Sequence, residues 1–131
     1  MLYFGLFIIL VGVDQTIKYI VLRFFNSYAL INASGPFSIK GHSYLFALLG
    51  LIIIGVFLFA IKKQASKDKN LILPIVLIIS GGISNIIDRT WRGGVVDFID
   101  LKIWPSFNLA DILITFGVAL VILNEIKRVC R

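Results

Sequence analysis

The chain has 131 residues, of which 59% are hydrophobic and only 15% are charged. A soluble domain is typically about 45–50% apolar and about 25% charged, so the composition excludes an ordinary soluble domain and indicates one that lies in a lipid bilayer. The formal net charge of +6 does not indicate a nucleic-acid partner, because the basic residues cluster beside apolar runs, as they do at the cytoplasmic ends of membrane spans.

Four apolar runs are long enough to cross a bilayer as helices, which takes about 17–25 residues each. They cover residues 2–22, 43–61, 71–88 and 109–126. We therefore predict an all-α integral membrane fold with four transmembrane helices, forming a single membrane-embedded domain over residues 1–131. The first run carries Asp14 and Lys18, which the apolar core of a cleaved signal peptide would not, so we expect it to be retained.

The distribution of lysine and arginine predicts the orientation. Basic residues are concentrated at 62–69 and at 127–131, which indicates that this connector and both termini are cytoplasmic. The loops at 23–43 and 88–108 then lie on the extracytoplasmic side. The first of them mixes polar and aromatic residues with turn residues and predicts a small loop subdomain that contains short β-strands. We expect His42 to be a solvated loop residue. A single cysteine and the absence of paired Cys/His spacing predict neither a metal nor a cofactor.

Acidic residues are rare here and are placed unevenly. The orientation above puts five of the seven acidic residues on the outer side, namely Asp14, Asp88, Asp97, Asp100 and Asp111. A charge near the centre of a membrane helix costs about 2.5–3.5 kcal/mol on insertion scales, so such residues are functional candidates. Each also has a structural interpretation. Asp14 and Lys18 have i, i+4 spacing and can neutralise each other, and Asp100, which precedes Lys102, can be a solvated loop charge.

Asp97 and Asp111 are the strongest catalytic candidates. Asp111 falls in the first turn of the fourth helix, where capping alone would be an ordinary explanation for it. Asn108 is the better cap residue, which leaves Asp111 free to face the interior of the bundle. Asp97 follows Val95 and Val96 in the preceding loop. If the two carboxylates meet, they form a pair that shares a proton, as in an aspartic peptidase.

Four short motifs resemble those of the lipoprotein signal peptidases, the signal peptidase II family. In chain order they are "DQTIK" from Asp14, "NIIDR" from Asn85, "GVVDF" from Gly94 and "FNLAD" from Phe107. Each motif alone is weak, but all four in order on a chain with four spans are specific. In the first outer loop, Asn32 and Phe37 match the family pattern, whereas Ser34, Gly35 and Pro36 differ. Ser84 stands where a glycine commonly precedes the asparagine of the second motif.

The resemblance implies an aspartic endopeptidase of the bacterial cytoplasmic (inner) membrane whose active site lies on the extracytoplasmic side. Its substrate would be a prolipoprotein with a diacylglyceryl cysteine, cut just before that cysteine to release the signal peptide. The catalytic pair would be Asp97 and Asp111. Residues that support the pair or bind substrate would be Asn32, Asn85, Asp88, Arg89, Asn108, Asp14 and Lys18. We expect membrane lipids to surround the protein, no nucleic acid to bind, and the protein to be a monomer.

Two other functions fit parts of the sequence. A small four-helix transporter coupled to protons or cations would use Asp14 in its first helix, but it would not need acidic residues at both position 97 and position 111. A non-catalytic membrane chaperone or toxin-like protein would use the polar residues as contacts between helices. The three hypotheses differ in their response to amide substitutions, because only the peptidase requires both Asp97 and Asp111 as acids.

Overall fold

The computed structural model describes residues 2–25, 30–32, 48–57, 59, 68–103 and 105–130. Within these ranges the elements are α1 (Leu2–Phe24), β1 (Leu30–Asn32), α2 (Leu48–Phe57), α3 (Ile72–Trp91), β2 (Val95–Asp97) and α4 (Leu109–Val129). Among the described residues, three helical segments are long and apolar enough to cross a bilayer, namely α1, α3 with its preceding turn, and α4. These are three of the predicted spans. The second, 43–61, is helical over Leu48–Phe57, and its ends lie outside the described residues.

The first helix is polar on the inside and apolar on the outside. Its buried residues are Asp14 and Lys18, whereas Leu2, Phe4 and Ile9 are more than half exposed. In water this arrangement would expose a large apolar surface, but in a bilayer the hydrocarbon chains cover such side chains and the charged groups turn inward. The pattern of burial is therefore that of a membrane helix.

The third helix begins and ends at recognisable signals. Asp68 caps a short 3₁₀ turn, Lys69–Leu71, by accepting a hydrogen bond from the Asn70 amide at 2.9 Å. Pro74 follows in the first turn of α3, where a missing N–H costs no intrahelical bond. We predicted the helix to end at position 88, but it continues to Trp91. The chain then turns through Gly93, whose φ of 74° is readily available to glycine.

Helices α3 and α4 pack closely through two glycines. A methyl group on Gly81 would lie 2.3 Å from the carbonyl oxygen of Ala110, and one on Gly117 would lie 2.8 Å from that of Pro74. Small residues that let two backbones approach closely are typical of helix pairs in membranes. This close approach fixes the start of α4 against the middle of α3.

The two strands join the two loops that were predicted to lie on the outer side. β1 and β2 pair antiparallel, with Leu30 opposite Asp97 and Asn32 opposite Val95. Beyond β2, Ile99 and Phe107 form an isolated antiparallel bridge, which returns the chain to the start of α4. This path places the last residue of β2 beside the first turn of α4.

Candidate active site

Asn108 lies between the two candidate catalytic carboxylates. Its side-chain amide donates to Asp97 Oδ1 at 2.8 Å, and its Oδ1 accepts from the Asp111 backbone amide at 3.0 Å. The Asn108 backbone amide in turn donates to Asp111 Oδ2 at 3.2 Å, which completes a reciprocal capping box. Asn108 is therefore the helix cap, as predicted, and Asp111 takes part in the capping box as well as facing the bundle.

Asn85 connects Asp111 to the body of the bundle. Its amide donates to Asp111 Oδ1 at 2.8 Å, and its Oδ1 accepts from the Asn108 amide and from Lys18 Nζ, each at 3.3 Å. Asn85, Asn108 and Asp97 are buried. Asn108 therefore bonds to both carboxylate residues, one from a strand and one from a helix, and Asn85 bonds to Asp111 and to Asn108.

A guanidinium group supplies positive charge to the same region. Arg89, half-buried on α3, interacts electrostatically with Asp111, Asp97 and Asp88. Two carboxylates brought together in a low-dielectric region repel each other. A nearby fixed cation reduces this repulsion, which favours the assembled site.

A buried group of charged residues underlies the two asparagines. Lys18 Nζ lies 2.7 Å from Asp14 Oδ2 and 2.6 Å from Asp88 Oδ2, and all three side chains are fully buried. The predicted i, i+4 pair of Asp14 and Lys18 is confirmed, and Asp88 is a further partner. Asp14 also accepts from Ser84 Oγ at 2.5 Å and from the Ala110 amide at 3.0 Å. Both of its oxygens are therefore engaged within the protein.

Three residues in this region were not among the predicted site residues. Ser84 bonds to Asp14, Gln15 Nε2 donates to Asp88 Oδ1 at 3.0 Å, and Arg92 forms a short ion pair with Asp88 Oδ1. Gln15 belongs to the "DQTIK" motif, which was the available signal. Arg92 lacked one, because ending α3 at position 88 left it in a loop. The extra helical turn brings its side chain to Asp88, four residues earlier.

An apolar groove opens beside Asp111. It has a volume of about 480 Å³ and is lined by Phe107, Asp111, Ile112, Thr115, Phe116 and Ala119. Among the described residues that line the groove, Asp111 is the one that carries a charge. An extended apolar segment lying in this groove would therefore pass directly beside the carboxylate.

The comparisons with known proteins agree with the predicted resemblance. The sequence model of the family described as signal peptidase (SPase) II matches residues 6–127. The chain belongs to the signal peptidase II family. Membership of this family makes the chain a peptidase. Three of its described helices are long and apolar enough to span a bilayer, so it is a membrane peptidase.

Individual relatives extend over most of the chain. It is 41% identical over 116 residues to the lipoprotein signal peptidase of Streptococcus thermophilus, covering 86% of this chain and 75% of the relative. It is 30% identical over 152 residues to the lipoprotein signal peptidase of Cupriavidus necator, covering 100% and 86%. A bacterial membrane enzyme solved by the in meso method at 2.3 Å resolution superposes with a TM-score of 0.79 at 29% identity, covering 95% and 87%.

The remaining predicted residues lie apart from this network or outside the description. Asp100 is exposed and accepts from the Lys102 amide at 2.8 Å, so the interpretation as a solvated loop charge is confirmed. The backbone of Asn32 ends β1, but its side chain and His42 lie outside the described residues. In the part of the chain that the structure describes, no cluster of three or more His, Cys, Asp or Glu side chains could hold a metal ion.

Proposed function

We propose that this membrane peptidase is an aspartic endopeptidase that removes the signal peptide from diacylglyceryl-modified prolipoproteins by cleaving before the lipidated cysteine. Asp97 and Asp111 are the proposed catalytic pair. The observation that carries the proposal is their shared attachment, since Asn108 bonds to both residues and Asn85 bonds to Asp111 and Asn108. The family and its relatives named lipoprotein signal peptidase support the substrate class.

The chemistry requires one carboxylate to be ionised and the other protonated. The ionised member accepts a proton from water, and the resulting hydroxide equivalent attacks the scissile carbonyl carbon. The protonated member donates a hydrogen bond to the carbonyl oxygen and stabilises the charge that develops there. When the tetrahedral intermediate collapses, the C–N bond breaks and a proton passes to the departing amine. Arg89 would stabilise the net negative charge of the pair throughout the reaction.

The groove beside Asp111 supports the same substrate class. It is lined by apolar side chains such as Phe107, Ile112 and Phe116, and the apolar part of a signal peptide is complementary to such a surface. The lipid attached to the substrate cysteine would remain in the bilayer while the scissile bond reaches the carboxylates. The basic residues Lys127 and Arg128 at the end of α4 support a cytoplasmic C-terminus in the bacterial inner membrane, with the site near the extracytoplasmic surface.

The transporter alternative gains no support. It relied on Asp14 as a binding site for a proton or cation, but Asp14 accepts from the Ala110 amide through Oδ1 and from Ser84 and Lys18 through Oδ2. A carboxylate with these partners holds the bundle together and has little capacity for a transported ion. The family and the relatives are peptidases.

The decisive test is cleavage of a diacylglyceryl-modified prolipoprotein in detergent or lipid, followed by gel shift. We expect wild type to cleave, and Asp97→Asn and Asp111→Asn to lose at least about 10³-fold in rate, because an amide cannot exchange the required proton. Asp100→Asn is the matched control, since it makes the same chemical change at an exposed carboxylate in the same loop. We expect it to cleave like wild type.

All four proteins would first be compared by size-exclusion chromatography and circular dichroism. Cleavage by Asp97→Asn or by Asp111→Asn at a rate near that of wild type would refute the catalytic assignment. A folded wild-type protein that leaves the lipidated substrate intact would refute the proposed substrate.

A further inference from the structure

The Asp88 carboxylate, which lies outside the catalytic pair, is bound by four partners within the protein. It is fully buried, and both of its oxygens are engaged. Oδ1 accepts from Gln15 Nε2 at 3.0 Å and pairs with Arg92 Nη1, while Oδ2 accepts from the Val96 amide at 3.3 Å and pairs with Lys18 Nζ. An ionised carboxylate has about four acceptor sites, so these four partners saturate it.

One of the four partners belongs to the catalytic strand. Val96 is fully buried in the middle of β2 and directly precedes Asp97. The bond from its amide to Asp88 therefore ties the backbone of β2 to α3 one residue away from the proposed catalytic carboxylate. A rotation of the Asp88 side chain would move the Val96 amide or leave it unpaired, and either change would shift Asp97.

Arg92 and Gln15 bind Asp88 through Oδ1, whereas Lys18 binds it through Oδ2. Arg92 Nη1 donates to Gln15 Oε1 at 2.8 Å and also bonds to Asp88 Oδ1, while Gln15 Nε2 donates to the same Oδ1. The three side chains thus form a closed ring of hydrogen bonds between α1 and α3. An ordinary surface ion pair contributes about 0–1 kcal/mol to stability. The Arg92–Asp88 pair differs from such a pair, because Asp88 is completely buried and Gln15 of a second helix bonds to both residues.

Arg92 also contributes to the charge balance of the buried group. Asp14 and Asp88 carry two negative charges, and Lys18, which contacts both of them, supplies one positive charge. Arg92 supplies the second, through a side chain that is 23% exposed. Without it, Lys18 would be the one described cation left in direct ion-pair contact with the two carboxylates, since Arg89 also interacts with Asp111 and Asp97. A buried carboxylate with too little compensating charge is costly in a low-dielectric interior.

We infer that Arg92 and Gln15 form a positioning clamp for the catalytic strand: they fix the Asp88 carboxylate, which fixes the Val96 amide and thereby Asp97. The Arg92–Gln15 clamp acts through Asp88 and does not contact the reacting atoms. Its effect on cleavage rests on the proposed function, whereas its effect on the Val96 amide does not.

The test compares Arg92→Gln, Arg92→Lys and the control Arg128→Gln. The control removes a guanidinium that is also paired with a carboxylate on its own helix, Glu125 at 3.3 Å, but at the opposite end of the bundle. Two readouts are measured on each protein: kcat and KM for the lipidated prolipoprotein, and backbone hydrogen exchange by mass spectrometry over the segment that contains Val96.

We expect Arg92→Gln to lower kcat by about 10- to 100-fold with KM changed by less than about twofold, because a displaced catalytic group reduces turnover more than binding. Exchange at the Val96 amide should rise by about fivefold or more, while α4 keeps its protection. Arg92→Lys should recover part of both effects, because it restores the charge with a less suitable donor geometry. Arg128→Gln should match wild type in both readouts.

Two results would overturn the clamp. One is an Arg92→Gln protein with wild-type kcat and unchanged exchange at Val96. The other is a uniform rise in exchange through α1, α3 and α4, which would mean that Arg92 stabilises the whole fold and does not act on β2 in particular. If wild type does not cleave the substrate, the proposed function fails, but the exchange measurement still decides whether the clamp fixes β2.

Discussion

The glycine at position 81 should be needed for catalysis although it carries no functional group. A methyl group there would lie 2.3 Å from the carbonyl oxygen of Ala110, which is 1.1 Å short of the 3.4 Å at which ordinary contact begins. The obstacle is backbone, which cannot rotate away, so Gly81→Ala has to separate α3 from α4 by about 1 Å. Overpacking of this kind costs about 1–3 kcal/mol.

The displacement reaches the active site because Ala110 directly precedes Asp111. The bond from the Asn85 amide to Asp111 Oδ1 is 2.8 Å long, and a lengthening of about 1 Å takes it beyond hydrogen-bonding distance. A misplacement of about 1 Å at a catalytic group can cost about 10²-fold in rate. We therefore expect Gly81→Ala to lower kcat about 100-fold, although it leaves the side chains of Asp97 and Asp111 chemically unaltered.

Two other glycines provide matched controls for the cleavage assay and for thermal unfolding in detergent. A methyl group on Gly117 meets Pro74 and Ile78 in the same helix pair, but two turns further along α4. One on Gly12 meets no described residue within 4 Å. Gly117→Ala should lose stability and keep most of its activity, and Gly12→Ala should match wild type. Activity of Gly81→Ala within about threefold of wild type, or equal losses at positions 81 and 117, would refute the argument.

Three further outcomes are expected from the charged and capping residues. Lys18→Met should cost about 3–5 kcal/mol in unfolding free energy by leaving buried carboxylates unbalanced, and adding Asp14→Asn should restore part of it; a double variant no more stable than the single would contradict this. Asn108→Ala should cost about 1 kcal/mol as a lost cap and lower kcat; unchanged kcat would argue against its role. The Asn124 hydrogen bond lowers the pKa of Asp68 below 3.8, so the stability that Asn124→Ala removes should be present above pH 3.8 and diminish as the pH falls below it; a difference that persists at lower pH would contradict this.

Two local contacts around the candidate site were predictable from sequence, namely the helix cap at Asn108 and the pairing of Asp14 with Lys18. Asn108 precedes Asp111 by three residues, the spacing of a capping box, and the structure shows that box. The i, i+4 spacing of Asp14 and Lys18 likewise predicted a contact that is present at 2.7 Å. Such local relations follow from helix geometry alone.

Contacts between residues far apart in the chain were harder to predict from the sequence. Ser84 was noted as a departure from the glycine that commonly stands there, but its hydroxyl bonds to Asp14, which is 70 positions away in the chain. Arg92 was missed because the end of α3 was placed one turn too early, and helix boundaries are uncertain by a few residues when read from periodicity. The antiparallel pairing of β1 with β2 joins two loops whose proximity no local pattern reports.

The inside-out character of α1 has a consequence for biosynthesis. Asp14 can bond to Ser84 only after 70 further residues have been synthesised, and Gln15 can bond to Asp88 only after 73. At about 5–20 residues per second, translation of this length takes roughly 4–15 s. Throughout this time α1 lacks its partners on α3, but Lys18 can already pair with Asp14 on the same helix, which lowers the cost of holding both charges in the bilayer. The same lysine therefore serves twice: first as a temporary counterion within one newly inserted helix, and later as the bridge that locks that helix to another.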